Sequence, residues 1–427
     1  MSSAAMNPPF APPPFDVKAV RAHFPGLGVP IHGHKLVYLD NAATAQKPQM
    51  MIDRIAAAYT HECANIHRGV HLLSARATAS FEAARQSIAA FINAPHAHEV
   101  IFTRGATEAI NLVAHSFGAL NVRAGDEIII SELEHHANIV PWQMLCTRQN
   151  ATLKVIPMDD RGALDEDALE GLLGPKVKLL ALSHMSNALG TIVPVKRMIA
   201  QAHRHNVPVL IDGAQAVTHL PVDVQDLGAE FYVFSGHKLY GPTGVGILWG
   251  RTELLEAMPP FQGGGDMIEQ VTFEKSTFAG LPNKFEAGTP DIAGIIGMGA
   301  TIDFLNGLDL EGARAHEAAL LKYGTEALTK VPGLRLIGEA PDKAAVLSFV
   351  LDCAHPHDIG TILDMKGVAI RTGHHCAQPI MRHFGVAATA RASLAIYNTF
   401  EEIDRLVGAL LDVCRMFGAP KQAQHEV

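Results

Sequence analysis

Three groups of residues in this chain have the types and spacing to do chemistry. The first is Asp212-Gly-Ala-Gln215 with Ser235-Gly-His237-Lys238, each at the end of an apolar run. A carboxylate at the end of a buried strand is costly without a cationic partner, and a lysine follows it 26 residues later. Upstream, Arg104-Gly-Ala-Thr-Glu-Ala-Ile-Asn111 reads as a turn opening a helix, whose free N–H groups suit a phosphate. Alone, that turn also reads as an ordinary capped helix start, and Lys238 as a solvated lysine. Together they are what pyridoxal phosphate requires: an amine for its Schiff base, a carboxylate for its pyridinium nitrogen and a helix start for its phosphate.

The second group is Glu132-Leu-Glu-His135-His136-Ala-Asn138. Adjacent histidines rarely ligate one ion, and no cysteine or spaced His–His pair lies nearby, so no metal is predicted. An imidazole at a strand end can instead face a flat ligand. The third group is Gly373-His374-His375-Cys376, near Arg371 and Arg391, where cationic neighbours favour a thiolate. Cys353-Ala-His355-Pro-His357 mixes the same residue types, but Cys353 follows an apolar run and reads as structural. Cys63, Cys146 and Cys414 fall in amphipathic helical stretches and read as packing residues.

These groups must be positioned by regular elements. Short apolar runs at 99–103, 127–130, 178–183, 207–211 and 230–234 read as buried strands, with helices at 108–117, 139–149 and 195–203 between most of them. Such alternation predicts an α/β fold with a mainly parallel sheet covered by helices, whose chemistry sits at the carboxyl ends of the strands. Gly241-Pro-Thr-Gly244-Val-Gly246 lacks the GxGxxG spacing of a dinucleotide site. The character changes near Pro290. Helices at 291–308 and 311–330 are followed by strands at 334–337 and 346–351, a helix after Pro356, a strand at 368–371 and a closing helix at 400–416. The domain reading is a Pro-rich tail (1–15), a segment packing with the small domain (16–30), a large domain (31–290) and a small α+β domain carrying Cys376 (291–427).

Composition narrows the partners. The 427 residues are 48% hydrophobic and 18% charged, which excludes global disorder or a coiled coil. The net charge of −9 speaks against a general nucleic-acid partner. No uncharged apolar run approaches the roughly 20 residues that cross a bilayer, and no basic residue precedes Lys18, so neither a membrane span nor a leader is expected. Five scattered cysteines without a CxxC pair fit a reducing, cytoplasmic setting.

Further motifs tighten the reading: Leu39-Asp-Asn-Ala-Ala43, Asn65-Ile-His-Arg-Gly-Val-His71, Glu134-His-His-Ala-Asn-Ile-Val-Pro-Trp142, Phe285-Glu-Ala-Gly-Thr-Pro290, Arg371-Thr-Gly-His-His-Cys-Ala377 and Arg391-Ala-Ser-Leu-Ala-Ile-Tyr-Asn398. With the two strand-end motifs, they resemble the class V aminotransferase group of fold-type I pyridoxal phosphate enzymes, and within it the SUF-type (group II) cysteine desulfurases, also described as selenocysteine lyases. The resemblance runs from about residue 38 to 398.

It implies a cytoplasmic homodimer that converts L-cysteine to L-alanine and a persulfide on Cys376. The sulfur then passes to a SufE-like or SufU-like acceptor for Fe–S cluster assembly, and L-selenocysteine is a further substrate. Lys238 would be the Schiff-base lysine, Asp212 the pyridinium partner, Gln215 a donor to the phenolic oxygen, and His135 the stacking and proton-moving imidazole. Thr107, Ser235 and His237 would hold the phosphate, with Thr289 reaching it from the other subunit. Ala106 stands where the family often has a hydroxyl, leaving its backbone N–H. Asn187 and Arg391 would hold the substrate carboxylate, with Arg371, His67, Arg68 and His374 near the substrate. The rival readings are an aminotransferase or dedicated selenocysteine lyase on the same scaffold, and a non-catalytic sulfur-carrier or metal-binding protein.

Overall fold

The structure, a computed structural model, describes residues 15–418, so the Pro-rich tail lies outside the described residues apart from Phe15. A seven-stranded sheet forms the centre. Its strands are β1 Val100–Thr103, β2 Glu127–Ser131, β3 Thr152–Ile156, β4 Val177–Ser183, β5 Val209–Asp212, β6 Phe231–Ser235 and β7 Gly246–Gly250, in the order β1-β7-β6-β5-β4-β2-β3. Neighbours from β6 to β3 pair in parallel, and β7 runs antiparallel to both β6 and β1. Apart from the half-buried Lys178, the inner strands are buried because helices cover both faces, which is why they read as apolar runs.

Two strands of this sheet escape the sequence pattern. β3 is an edge strand with Thr152 and Val155 exposed, so it lacks an apolar signature. β7 follows a glycine-rich turn and starts at Gly246, where a Cβ would lie 2.3 Å from the Gly105 backbone. Only glycine allows β7 to approach the Gly105 turn so closely.

The C-terminal part builds a four-stranded antiparallel sheet from β8 Leu334–Ile337, β9 Val346–Leu351, β10 Arg371–Gly373 and β11 Thr389–Ser393, in the order β8-β9-β11-β10. Helices Leu310–Leu328, Pro356–Asp364 and Phe400–Phe417 enclose its apolar core. The strand expected at 368–371 divides: Val368–Ala369 pairs in parallel with Val37–Tyr38, whereas β10 begins at Arg371. Val37, Leu39 and Ala42 thereby join the small core from far away in sequence.

Helix Ile292–Asn306, apolar on every side, is buried between helices Gln49–His61 and Leu72–Phe91. Within 16–30, Phe24 packs against Tyr240, Phe304 and Tyr397, and Arg21 pairs with Glu402 at 2.7 Å. That segment therefore touches both halves of the chain. Among the described residues no helix is long and apolar enough to cross a membrane.

Candidate active site

The carboxyl ends of the large sheet and one edge of the small sheet enclose a single cavity. Asp212 closes β5, Ser235 closes β6 and leads into the turn Gly236–Lys238, and Ala106 and Thr107 open helix Ala106–Val113. His135, Asn187 and Gln215 enter from other loops, while Arg371 and Arg391 come from β10 and β11 of the four-stranded sheet and His375 and Cys376 from the segment between them.

Burial governs the charges here. Asp212 is buried, accepts the Ala214 N–H at 3.0 Å, and has its carboxyl raised by desolvation against that bond and the nearby Lys238. Desolvation brings Lys238 down to about 8, against the pull of Asp212. A share of the amine is therefore unprotonated near neutral pH. His135 is held down to about 3 by burial and by Lys238, so its ring is neutral. Its Nδ1 accepts the Ala137 N–H at 3.0 Å, which leaves the proton on Nε2.

The loop bearing His135 is anchored by Glu134. That buried carboxylate accepts from Ser131 Oγ (2.5 Å), Ser183 N–H (2.9 Å), Ser183 Oγ (2.6 Å) and Asn138 Nδ2 (2.6 Å). Burial pushes it up to about 7, against the pull of these donors.

Arg391 is 1% exposed. Its Nη1 donates to the Asn187 carbonyl at 2.9 Å, its Nη2 reaches Asp40 at 3.1 Å, and its buried Nε has no partner among the described residues. Burial lowers it to about 10. Cys376 is half-buried, and both it and His375 adopt left-handed backbone, with φ of +55° and +53°. Each such residue costs about 1–3 kcal/mol unless its surroundings dictate it. Here the His136 N–H donates to the Cys376 carbonyl (2.8 Å), Asn187 Nδ2 donates to the His375 carbonyl (2.7 Å), and the His375 ring meets Thr389 Oγ1 (2.8 Å).

Most of the residues expected from the sequence line this cavity: Lys238, Asp212, Gln215, His135, Ala106, Thr107, Ser235, His237, Asn187, Arg371, Arg391 and Cys376. Two are engaged differently from expectation. The Ala106 N–H donates to Ser235 Oγ at 2.9 Å, and Gln215 Nε2 donates to the Ala42 carbonyl at 2.7 Å, with a second amide hydrogen remaining. His374 stands beside the cavity, its Nδ1 accepting the Cys376 N–H at 3.2 Å.

His67 and Arg68 lie elsewhere, bound to Glu82 (3.0 Å) and Asp266 (3.2 Å), and Thr289 lines a separate pocket with Arg104 and Glu108. Cys63 is exposed and lies past the end of helix Gln49–His61, rather than packing within a helix. Asp40, Glu134 and His375 had no role from the sequence. Each flanks a residue named above, but only the contacts disclose what it does.

The donor set fits pyridoxal phosphate. A buried aspartate stands ready for a pyridinium nitrogen, a desolvated lysine for the aldehyde carbon, and a flat neutral imidazole for a ring face. Hydroxyls at a helix start suit a phosphate, and the unpartnered Nε of Arg391 suits a carboxylate. A largely parallel sheet carrying this pair at its strand ends defines a fold-type I pyridoxal phosphate enzyme. The chain belongs to the aminotransferase class-V family, whose model matches residues 37–406.

Among curated relatives, it is 52% identical over 406 residues to a cysteine desulfurase of Pectobacterium atrosepticum, covering 95% of this chain and all of that one. It is 53% identical over 396 residues to a probable cysteine desulfurase of Mycolicibacterium paratuberculosis, covering 93% of this chain but spanning only 58% of that relative's length. The crystal structure of the cysteine desulfurase CsdA (S-sulfonic acid) from Escherichia coli superposes with a TM-score of 0.88 at 41% identity, covering 94% of this chain and 99% of that one.

Proposed function

We propose that the protein is a pyridoxal phosphate-dependent cysteine desulfurase of the SUF type, converting L-cysteine to L-alanine and a persulfide on Cys376. The observation that carries this reading is the meeting of Lys238 and Asp212 with Arg391 and Cys376 in one cavity. An aminotransferase needs the first three but has no use for a thiol there.

Arg391 and Asn187 hold the substrate carboxylate and orient the Cα–H bond toward Lys238. When bound, pyridoxal phosphate supplies the electron sink for that carbon. Lys238, brought to about 8 by desolvation, takes the Cα proton at its Nζ. Asp212, buried beside it, would hold a positive charge on the pyridine nitrogen. The Cys376 sulfur then bonds to the substrate sulfur while the Cβ–S bond breaks, its electron pair passing to Cβ. The proton that Lys238 holds and the one the Cys376 thiol gives up, exchanged through solvent, complete the C–H bonds of L-alanine.

A persulfide must be handed on, and a SufE-like or SufU-like protein feeding Fe–S assembly is the acceptor this reading calls for. L-selenocysteine presents the same amine and carboxylate, so lyase activity on it belongs to the same proposal. Thr289 lies outside the cavity of its own chain, and a homodimer gives it a phosphate to hold. The five free cysteines support a cytoplasmic setting.

The test is incubation with L-cysteine, measuring L-alanine and locating the added sulfur by mass spectrometry. Sulfur on Cys376 with equal alanine is expected. Keto-acid formation without persulfide would replace this reading with a transaminase. Lys238→Ala should lose both the visible absorbance of the cofactor–lysine linkage and alanine release.

A further inference from the structure

Lys47 takes no part in the reading above, yet it sits against the turn that carries Lys238. Its Nζ donates to the His237 carbonyl at 2.8 Å. The same oxygen accepts the Ala45 N–H at 3.1 Å and Thr44 Oγ1 at 3.2 Å. Thr218 Oγ1 donates to the next carbonyl, that of Lys238, at 3.2 Å. Segment 44–47 therefore clamps the peptide immediately before the lysine, and one of its three donors is a lysine amine.

Hydrogen bonding alone does not require a cation at this point. Among the described residues Lys47 forms no ion pair, and partial burial brings it down to about 7 with no carboxylate opposing the shift. A half-buried lysine without a counter-ion gives up part of its charge near neutral pH, and an anion brought close restores that charge.

The anion site next to it has the complementary deficit. Its donors are the hydroxyls of Thr107 and Ser235, the imidazole of His237 and the N–H groups that open helix Ala106–Val113, none of them a full cation. Burial, with the charges of Lys238 and Lys47, holds that imidazole down to about 4, so it is neutral. A phosphate monoester carries roughly −1.5 to −2 near neutral pH. Lys238 gives its amine to the cofactor linkage and cannot balance that charge. Arg104, the next cation in the turn, is exposed and paired with Glu108.

We propose that Lys47 is the counter-charge of the phosphate site, a positioning residue that acts through the His237 turn. This rests on the pyridoxal phosphate reading of the cavity and adds to it the source of the site's positive potential.

The test uses the full-length apoprotein and two ligands that differ only in the phosphate, pyridoxal phosphate and pyridoxal, titrated by visible absorbance. Lys47→Gln keeps an N–H donor for the His237 carbonyl but removes the charge, whereas Lys47→Arg keeps the charge. Lys47→Gln should weaken pyridoxal phosphate by about tenfold or more and leave pyridoxal unchanged. Lys47→Arg should retain most of the preference for the phosphorylated ligand. Inorganic phosphate should also compete less well against pyridoxal phosphate in Lys47→Gln than in the wild type.

Equal losses for both ligands would reduce Lys47 to a backbone clamp and overturn the proposal, as would unchanged affinities. A wild-type protein that develops no visible absorbance with pyridoxal phosphate would sink the cofactor reading itself, a different and separable failure. Should Lys47→Gln fail to fold, Lys47→Arg alone still decides: a phosphate preference lost despite a retained charge overturns the proposal.

Discussion

Two stretches of this chain mix cysteine with histidine, and the fold treats them in opposite ways. Cys353-Ala-His355-Pro-His357 follows β9. Cys353 packs against the small-domain core beside Cys414, whose thiol is pushed up to about 11 by burial and by the Cys353 sulfur. His355 caps helix Pro356–Asp364, its Nδ1 accepting the His357 N–H at 3.2 Å, and the His357 side chain is 80% exposed. Among the described residues no arginine or lysine pairs with this stretch, and its backbone is relaxed, with φ of −67° at His355. Gly373-His374-His375-Cys376 instead turns through two successive left-handed residues and lines a cavity shared with Lys238 and Arg391. The lesson is that residue types do not make a reactive site. A strained backbone held by distant elements, facing groups from another domain, does so.

Removing each thiol tests this contrast most severely. Cys376→Ala should cut alanine release from L-cysteine by at least about three orders of magnitude, while cofactor absorbance and its response to added L-cysteine persist. Cys353→Ala should leave the rate unchanged. Sulfur found on Cys353 by peptide mass spectrometry would invert the comparison. In the same assay, Cys376→Ala should keep a substantial share of its activity on L-selenocysteine, because a selenol is the stronger acid and its bond to carbon the weaker.

Arg391 distinguishes the two clusters next. Arg391→Lys should raise KM for L-cysteine by about tenfold or more, since one ammonium cannot replace a planar guanidinium that already serves Asn187 and Asp40. An unchanged KM would move the carboxylate site away from the Cys376 cluster.

A smaller effect concerns pH. Burial, with Arg391 and Arg371 nearby, holds His375 down to about 3 from the ordinary 6.5. Between those values the unfolded chain binds a proton that the folded one refuses, so stability falls as pH drops through this window. One such group contributes up to about 1.4 kcal/mol per pH unit. His375→Asn should flatten the decline of the urea midpoint from pH 6.5 downward; parallel profiles for both proteins would show that His375 is not the group responsible. The smallest effect belongs to the other cluster. His355→Ala should cost about 0.5–1 kcal/mol as a lost helix cap, read by urea titration, with no change in rate.

Much of this is legible in the amino-acid sequence itself. The apolar runs placed β2, β4, β5 and β6 to within two residues at each end, and β8 and β9 matched residue for residue. Buried strands and amphipathic helices write their burial into local periodicity. β3, β7 and β11 were not legible, because an edge strand needs no apolar face, a glycine-rich strand start looks like a turn, and Thr389-Ala-Arg-Ala-Ser393 is buried without an apolar run. Helix 108–117 begins two residues earlier, at Ala106, and widens into a π turn over Ala114–Gly118, a change of pitch with no compositional mark.

What the sequence determined by itself was the parallel sheet and the chemistry at its strand ends. Asp212, Ser235 and Lys238 are close in sequence to the strands that carry them, and a strand dictates where its own end lies. Only the tertiary structure decided that β10 and β11 bring Arg371, Cys376 and Arg391 to that edge. It alone paired His67 with Glu82 and Arg68 with Asp266, set Thr289 outside the cavity of its own chain, and gave Asp40, Glu134 and Lys47 their partners. The physical reason is range. Periodicity and residue type act over one element, whereas desolvation, charge pairing and hydrogen bonding depend on distances between elements hundreds of residues apart, which packing alone sets.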